Sequence, residues 1–299
     1  MRTTMVGRVS IRRKLGSALA IYRAHRNGDF SNAEREVAFC QELVEAFREC
    51  TGREIQGARV LDVGCGQTAT HSLILASHGA DTTGIDIEVP TLTMGPRTFV
   101  RVVRRNGLER ALKSLARHVL FDRRFFRDLA AATGKPVLPK DVDLRVMDVK
   151  QMSFPDSTFD LIFAPNVFEH IDDLPLAVAE VNRVLKPGGI AIITPHLFPS
   201  LSGGHNLEWH YPMKKGSGDV PAWDHLREWR FPANTYLNGL KLTDYRAAFS
   251  AMNVAREDLG TEGGETYLTP EIWQELAGKG YSREDLLTCT ATFYARKRT

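Results

Sequence analysis

Two glycines one residue apart, Gly64 and Gly66, follow the short apolar run Val60-Leu61-Asp62-Val63. Glycine at such a turn lets the backbone come close to a bound small molecule, and Asp62 sets a carboxylate inside the run that precedes it. About twenty residues on, Asp86 closes the run Asp81-Thr82-Thr83-Gly84-Ile85, a separation at which a carboxylate can grip both hydroxyls of a ribose. Asp148 and Asn166 close two later runs in the same way, and Asp148 is suited to accept a hydrogen bond from an exocyclic amine. On consecutive strand ends these groups lie along one edge of a sheet, where a nucleotide-like ligand binds.

A second group of reactive side chains comes later: His196, His205, Glu208, Trp209, His210 and Tyr211, then Trp223, Asp224, His225 and Arg227. Histidine titrates near neutral pH and is the natural proton acceptor for hydroxyl chemistry. His205 and His210 lead as candidate bases. His170, beside Glu169, is a third candidate, and this pair equally suits capping the helix that follows. So many histidines also raise the question of a divalent metal. The spacing offers no His-x-His pair and no accompanying carboxylate triplet, so no metal site is expected.

The elements that must position these groups alternate along the chain. Val60-Leu61-Asp62-Val63 reads as a strand, followed by a turn and a helix through Leu73, Ile74, Leu75 and Ala76 that Gly79 closes. Residues 81–86 form a second strand, 143–148 a third and 159–164 a fourth. A helix from about Leu174 to Leu185 ends at Lys186-Pro187-Gly188-Gly189, and Ile190 to Thr194 make a fifth strand. This alternation calls for a mostly parallel sheet covered on both faces. Upstream, Ser31-Asn32-Ala33-Glu34 is a capping box for a helix to about Cys50. Downstream, Pro195 to about Asn234 has no clear period, and Leu242 to Met252 reads as helix. Thr269-Pro270-Glu271 and Ser282-Arg283-Glu284-Asp285 are helix starts, and Leu287 to Ala295 is a closing strand.

Charge is unevenly distributed. The 299 residues are 43% hydrophobic and 25% charged with a net charge of +3, ordinary for a globular protein and too mild to argue for nucleic acid. No apolar run approaches the roughly 18 residues that span a bilayer, and the start does not read as a secretory signal. Cys40, Cys50, Cys65 and Cys289 show no CxxC pair, so a reducing compartment, the cytoplasm, is expected. Residues 1–28 nevertheless carry seven Arg and Lys and no acid, with Ile11, Leu15, Ala18, Leu19 and Tyr22 at helical spacing. That segment fits a lid helix, a peripheral contact with an anionic membrane, or an organelle transit peptide. Residues 90 to about 140 are a second basic stretch, too long for a loop and periodic in leucine, hence an inserted helical segment.

In these motifs the chain resembles the class I S-adenosylmethionine-dependent methyltransferases, in particular their small-molecule branch. The resemblance rests on Val60-Leu61-Asp62-Val63-Gly64-Cys65-Gly66, Gly84-Ile85-Asp86, Met147-Asp148, Phe154 to Asp160, Asn166-Val167-Phe168-Glu169-His170-Ile171 and Glu180 to Gly189. It covers roughly residues 58–196 and the last strand, interrupted by the basic insertion. It implies a Rossmann-like α/β fold: a doubly wound, mostly parallel seven-stranded sheet with an antiparallel last strand. The N-terminal helical lid would be residues 1–55 and the methyltransferase domain 56–299, with the acceptor region at about 195–285.

The resemblance also implies roles. Asp62 and the Gly64–Cys65–Gly66 backbone would hold the amino-acid end of S-adenosyl-L-methionine. Asp86, with Ile87 beside it, would hold the ribose, Asp148 and Val149 the adenine, and Asn166 would close over the sulfonium. Two departures stand out. Thr68 occupies a position where the family commonly has glycine, though its hydroxyl suits a helix cap. Ala164-Pro165-Asn166-Val167 lacks the element by which amino-methylating nucleic-acid enzymes grip a flipped base, so no nucleic-acid partner is expected. The reading is methyl transfer to an oxygen of a small molecule, such as a sugar, a saccharide precursor or a secondary metabolite. The two basic segments would suit an anionic or lipid-linked acceptor, or an oligomer contact. The alternatives are a cofactor-binding subunit without turnover in a biosynthetic complex and, behind it, a nucleic-acid methyltransferase.

Overall fold

The computed structural model describes residues 33–206, 209, 220–233 and 235–298. The basic segment 1–28, the Ser31 end of the capping box and His210 lie outside the described residues. Of the expected lid, the described part is α1 (Ala33–Thr51), which buries Val37, Cys40, Leu43 and Phe47.

Seven strands form one sheet in the order β3-β2-β1-β4-β5-β7-β6. They are β1 (Arg59–Val63), β2 (Asp81–Asp86), β3 (Val142–Val146), β4 (Phe159–Pro165), β5 (Leu185–Thr194), β6 (Asn253–Thr261) and β7 (Thr288–Arg296). β1 pairs in parallel with β2 and β4, and β2 with β3, while β7 is antiparallel, so the expected doubly wound Rossmann-like sheet is present. The first strand is central and covered on both faces, which is why its apolar run is continuous: Val60, Leu61, Asp62 and Val63 are all buried. Register then fixes the edge of interest. Val63 stands opposite Ile85 and Asp86 opposite Val146, so the glycine turn, Asp86 and the segment after β3 emerge together.

The described residues form two compact units. The first comprises residues 33–164, 179–192 and 296–298. Here α2 (Thr70–Ser77) follows the glycine turn and the inserted helices follow β2: α3 (Pro96–Asn106), α4 (Leu108–Arg117), a π-helical turn at His118–Asp122, and α5 (Arg123–Thr133). The insertion is helical, as its leucine period requires. Its arginines are not uniformly free. Arg117 donates to Gln67 Oε1 at 2.8 Å and to Thr91 Oγ1 at 2.9 Å and pairs with the buried Asp122, and Arg110 pairs with Glu88. Asp160 of β4 ties the opposite end of the sheet together. It accepts from Arg53 at 2.7 Å, from the Arg59 amide at 2.9 Å and from Lys186 at 2.8 Å, and these partners hold its carboxyl below the usual range against the opposing pull of burial.

The second unit comprises 165–178 and the described residues of 193–295. Its core gathers Phe198, Leu201, Trp209, Trp223, Leu237 and Leu286. After α6 (Leu174–Val184) come α7 (Leu242–Phe249), α8 (Pro270–Gly278) and α9 (Arg283–Leu287), which start near the predicted positions. Thr269 accepts from the Ile272 amide, and Ser282 and Asp285 form a reciprocal capping box.

Three local readings are corrected. β5 begins at Leu185, directly after α6, so Lys186-Pro187-Gly188-Gly189 lies within a strand. Gly188 has φ 77, and a Cβ on Gly189 would stand 2.8 Å from the Asp160 carbonyl, so glycine is what lets this bent stretch enter the sheet. β6 has no counterpart in the sequence reading because its residues are largely exposed and polar at the end of the strand order. Thr68 does not cap α2. Ala69 precedes that helix in a left-handed conformation, φ 43, with no side-chain cap, and Thr68 Oγ1 only accepts from Thr70 Oγ1 at 3.1 Å. The unusual residue of the turn is therefore Ala69, which holds a conformation that favours glycine.

Candidate functional site

A candidate donor site lies in the first unit. Gly64 and Gly66 have φ 72 and 65, so the chain turns sharply at the end of β1. The Gly64 and Cys65 amides donate to the Ile85 carbonyl at 2.8 and 3.0 Å, clamping the turn to β2. A Cβ on Gly66 would meet nothing within 4 Å, so space lies open above the turn. Asp86 shapes this loop. One oxygen accepts from the Gly66 amide at 3.0 Å, the other from the Glu88 amide at 2.8 Å, and burial raises its carboxyl against the opposing pull of those two amides. Ile87, next along, is 70% exposed and offers apolar surface beside Asp86.

Asp62 behaves differently from a ligand-facing acid. It is fully buried, accepts from Ser72 Oγ of α2 at 2.6 Å, and burial pushes its carboxyl up to about 6. It braces α2 against β1 beneath the turn. Cys65 is buried with its thiol directed to the Gly66 carbonyl, and burial pushes that thiol up, so it is inert as a nucleophile. Asp148 is half exposed and accepts from the Lys150 amide at 2.9 Å, with Val149 buried beside it. Open glycine backbone, an acid ending the second strand and an apolar neighbour fit a cofactor that carries an amino acid, a ribose and a purine.

The second unit holds the remaining candidates. Asn166, just after β4, has φ 53, and its amide donates to the Thr194 carbonyl at 2.8 Å. A short 3-10 turn, Phe168–His170, follows. Asn238 pins it through its side-chain amide to the Phe168 and Ile171 carbonyls at 2.9 and 3.2 Å and through its backbone amide to the Glu169 carbonyl. His170 Nδ1 donates to the Tyr236 carbonyl at 2.7 Å, which leaves Nε2 with the lone pair, and burial lowers the ring's pKa so that it is neutral near pH 7. Its side chain remains 32% exposed.

Glu169 is buried beside His170, one carboxylate oxygen 3.9 Å from that ring's Nε2. It is 1% exposed, neither carboxylate oxygen has a well-formed hydrogen bond, and burial pushes its carboxyl up to about 8 against the opposing pull of the Glu169 and His196 backbone amides. His196 and His205 converge on it: one ligating atom from each of the three residues lies within 4.8 Å of the others. The His205 ring stacks edge-on with His170 and tilted on His196, centroids 5.1 Å apart in both cases. His205 takes its place because Ser200 to Gly204 coil tightly beneath it: the His205 amide donates to the Ser202 carbonyl at 2.9 Å and its own φ is 52. Gly203 and Gly204 admit no side chain there, since a Cβ would fall 2.2 Å from the Phe198 carbonyl or 2.7 Å from the His225 ring. His225 is a core residue that donates to the Phe198 carbonyl at 2.8 Å, and Trp223 is wholly buried.

Of the predicted bases, then, His170 and His205 come together and His210 lies outside the described residues. Sequence reasoning places His196 in the reactive group after the fifth strand and Glu169 beside His170 as a helix cap, and joins neither to the other. Their positions, far apart in the chain, offer no motif that would join them to His205, and burial is the only signal that does.

A family model described as "Methyltransferase domain" matches residues 123–193. The matched stretch begins within the insertion and so excludes the glycine turn. Tocopherol O-methyltransferase of Arabidopsis thaliana is 30% identical over 207 residues, 66% of this chain and 47% of that protein. The ubiquinone biosynthesis O-methyltransferase of Xanthomonas oryzae pv. oryzae is 30% identical over 137 residues, 46% of this chain and 42% of that protein. The curated relatives are matched over 20% to 47% of their own length. Among solved structures, a TehB-like methyltransferase from Corynebacterium glutamicum superposes with a TM-score of 0.44 at 14% identity, covering 97% of this chain and 100% of that one.

Proposed function

We propose that this chain, a member of the class I S-adenosylmethionine-dependent methyltransferases, transfers the methyl group of S-adenosyl-L-methionine to a hydroxyl oxygen of a small molecule, with His170 as the general base. The observation that carries this reading is the geometry of His170: the Tyr236 carbonyl holds its Nδ1 proton, so the lone pair sits on Nε2 of a ring that remains partly exposed. An imidazole held in that tautomer takes a proton from a hydroxyl without first losing one. Three of the relatives are named as O-methyltransferases, which agrees with an oxygen acceptor, while others are named as N- or C-methyltransferases.

The bound cofactor supplies a methyl on a positively charged sulfur, whose departure needs no acid. The chain's own residues do the rest. Gly64 and Gly66 present backbone to the amino-acid end, and Asp86 holds the Gly66 and Glu88 amides in place while keeping lone pairs for the ribose hydroxyls. Ile87 would offer apolar surface to the purine, with Val149 buried behind it, and Asp148 would accept from its amine. Sugars, phenols and hydroquinones are the acceptor classes that need a base of this kind.

The test is methyl transfer from radiolabelled S-adenosylmethionine to a panel of phenols, sugars and hydroquinones. His170→Ala should slow single-turnover transfer about 100-fold or more while leaving cofactor affinity unchanged. An unchanged rate removes His170 from the chemistry. Labelling confined to nitrogen or carbon acceptors overturns the O-methylation reading.

A further inference from the structure

From the convergence of Glu169, His196 and His205 we infer a binding site for one divalent transition-metal ion of the zinc type. Three residues give one ligating atom each within 4.8 Å of one another; a tetrahedral ion at about 2.0–2.2 Å from its ligands spaces them by roughly 3.4 Å, so binding draws the three side chains inward. Two imidazoles and one carboxylate select zinc, cobalt or nickel over magnesium, which prefers an all-oxygen shell.

Two further observations point to an ion. The first is Glu169. A carboxylate 1% exposed that among the described residues meets no side-chain donor and no lysine or arginine is costly to bury. Among the described residues its one neighbour at ion-pair distance is His170 Nε2, at 3.9 Å, which carries a lone pair and no proton while Nδ1 donates to Tyr236. A dication between it and two histidines accounts for the burial. The second is the support behind His196. Its Nε2 lies 2.7 Å from Ser202 Oγ, which donates in turn to Glu262 Oε2, and the Ser202 amide donates to Glu262 Oε1 at 3.0 Å. Such a relay fixes the proton on Nε2, leaves Nδ1 as the nitrogen with an electron pair to give, and makes the ring a stronger donor. Ligating histidines characteristically give their second N–H to a hydroxyl or carboxylate relay of this kind.

Three protein ligands leave a tetrahedral ion one open position. The inference concerns binding and stands whether or not the methyl-transfer reading holds. It departs from the expectation from spacing, which names no metal site.

Cobalt(II) is the probe, because tetrahedral cobalt absorbs strongly in the visible while hexaaqua cobalt does not. Titration of the tag-free full chain should produce tetrahedral bands saturating at one ion per chain, and zinc should abolish them by competition. Glu169→Gln and His205→Ala should each weaken cobalt binding at least about 100-fold, and Ser202→Ala, which cuts the relay, about tenfold. X-ray absorption at the cobalt edge of the wild-type protein, which needs no variant to fold, should show two imidazole ligands. The proposal fails if the chain takes up no tetrahedral cobalt, if the absorption spectrum shows fewer than two imidazoles, or if folded Glu169→Gln and His205→Ala bind as tightly as wild type. Loss of methyl transfer with intact cobalt binding would instead count against the proposed function alone.

Discussion

Asp86→Asn separates the loop-holding role of this acid from any role as a ligand. In the wild type its two oxygens accept from the amides of Gly66 (3.0 Å) and Glu88 (2.8 Å), so the carboxylate links the glycine turn to the end of β2. Asparagine preserves size. Its single oxygen can satisfy one amide, while its NH2 faces the other, donor against donor. One charge-assisted bond of about 1.5–3 kcal/mol is lost and the other falls to the neutral value of about 1 kcal/mol. Because the loop can partly relax toward water, about 2 kcal/mol is a fair net loss in the organised turn. At about 1.4 kcal/mol per factor of ten, cofactor affinity should fall about 30-fold. Isothermal calorimetry with S-adenosylmethionine reads this directly, and urea unfolding of the cofactor-free protein should also show a lowered midpoint. That second effect is diagnostic, since an acid serving only as a ligand would leave the free protein unchanged. Wild-type affinity in Asp86→Asn would refute the assignment of this loop as the donor cradle.

Two other perturbations address the frame. Asp160→Ala leaves Lys186 and the Arg59 amide without their shared acceptor and should lower stability by about 3 kcal/mol in urea unfolding; a loss below about 1 kcal/mol would show that solvent replaces these contacts. His225, buried and donating to Phe198, has its pKa pushed down to about 4, chiefly by burial, so the folded state resists its protonation. Its contribution is full above about pH 6.5, the ordinary histidine value, and drains away as pH falls toward 4, with about 2 kcal/mol lost between pH 7 and 5. Asp62, raised to about 6, acts with the opposite sign, losing stability as pH rises from about 4 to 6, so wild type should be compared with His225→Phe to cancel it. An identical pH slope in the two proteins would place the acid sensitivity elsewhere.

The parts of the molecule that the sequence displays are those where local chemistry and tertiary environment agree. The strand-turn-strand from Arg59 to Asp86 combines a continuous apolar run, paired glycines and a terminal acid, and each is required by a central parallel strand with a backbone-lined turn. Thr269 and Ser282 are legible because a cap is satisfied within four residues of itself. β6 is illegible for the opposite reason. At the end of the strand order its side chains meet water, and no period marks Asn253–Thr261. The start of β5 is hidden by Pro187 and the glycines, which ordinarily end a strand. Family habit points to Thr68 as the odd corner of the cofactor turn, whereas backbone geometry points to Ala69. Asp62 reads as a ligand because strand acids near glycine turns often are, and its bond to Ser72 is invisible without the packing of α2 on β1. The glutamate–histidine cluster has no signature in spacing at all, since residues 169, 196 and 205 meet only through the fold.

Gln67 stands inside the glycine turn, yet its side-chain oxygen belongs to the inserted helices: Arg117 and Ser114 of α4 both donate to it, at 2.8 and 2.9 Å, and its backbone carbonyl accepts from the Thr91 amide. Arg117 spans to Thr91 as well, so the insertion and the turn share one set of bonds. Order in α4 and order in the turn are thereby linked equilibria. A mutation, a modification or a bound molecule that loosens α4 changes how readily the turn accepts its ligand, and occupation of the turn stiffens α4 by the same free energy. The inserted helices and the candidate donor turn thus share bonds carried by Arg117 and Ser114 together.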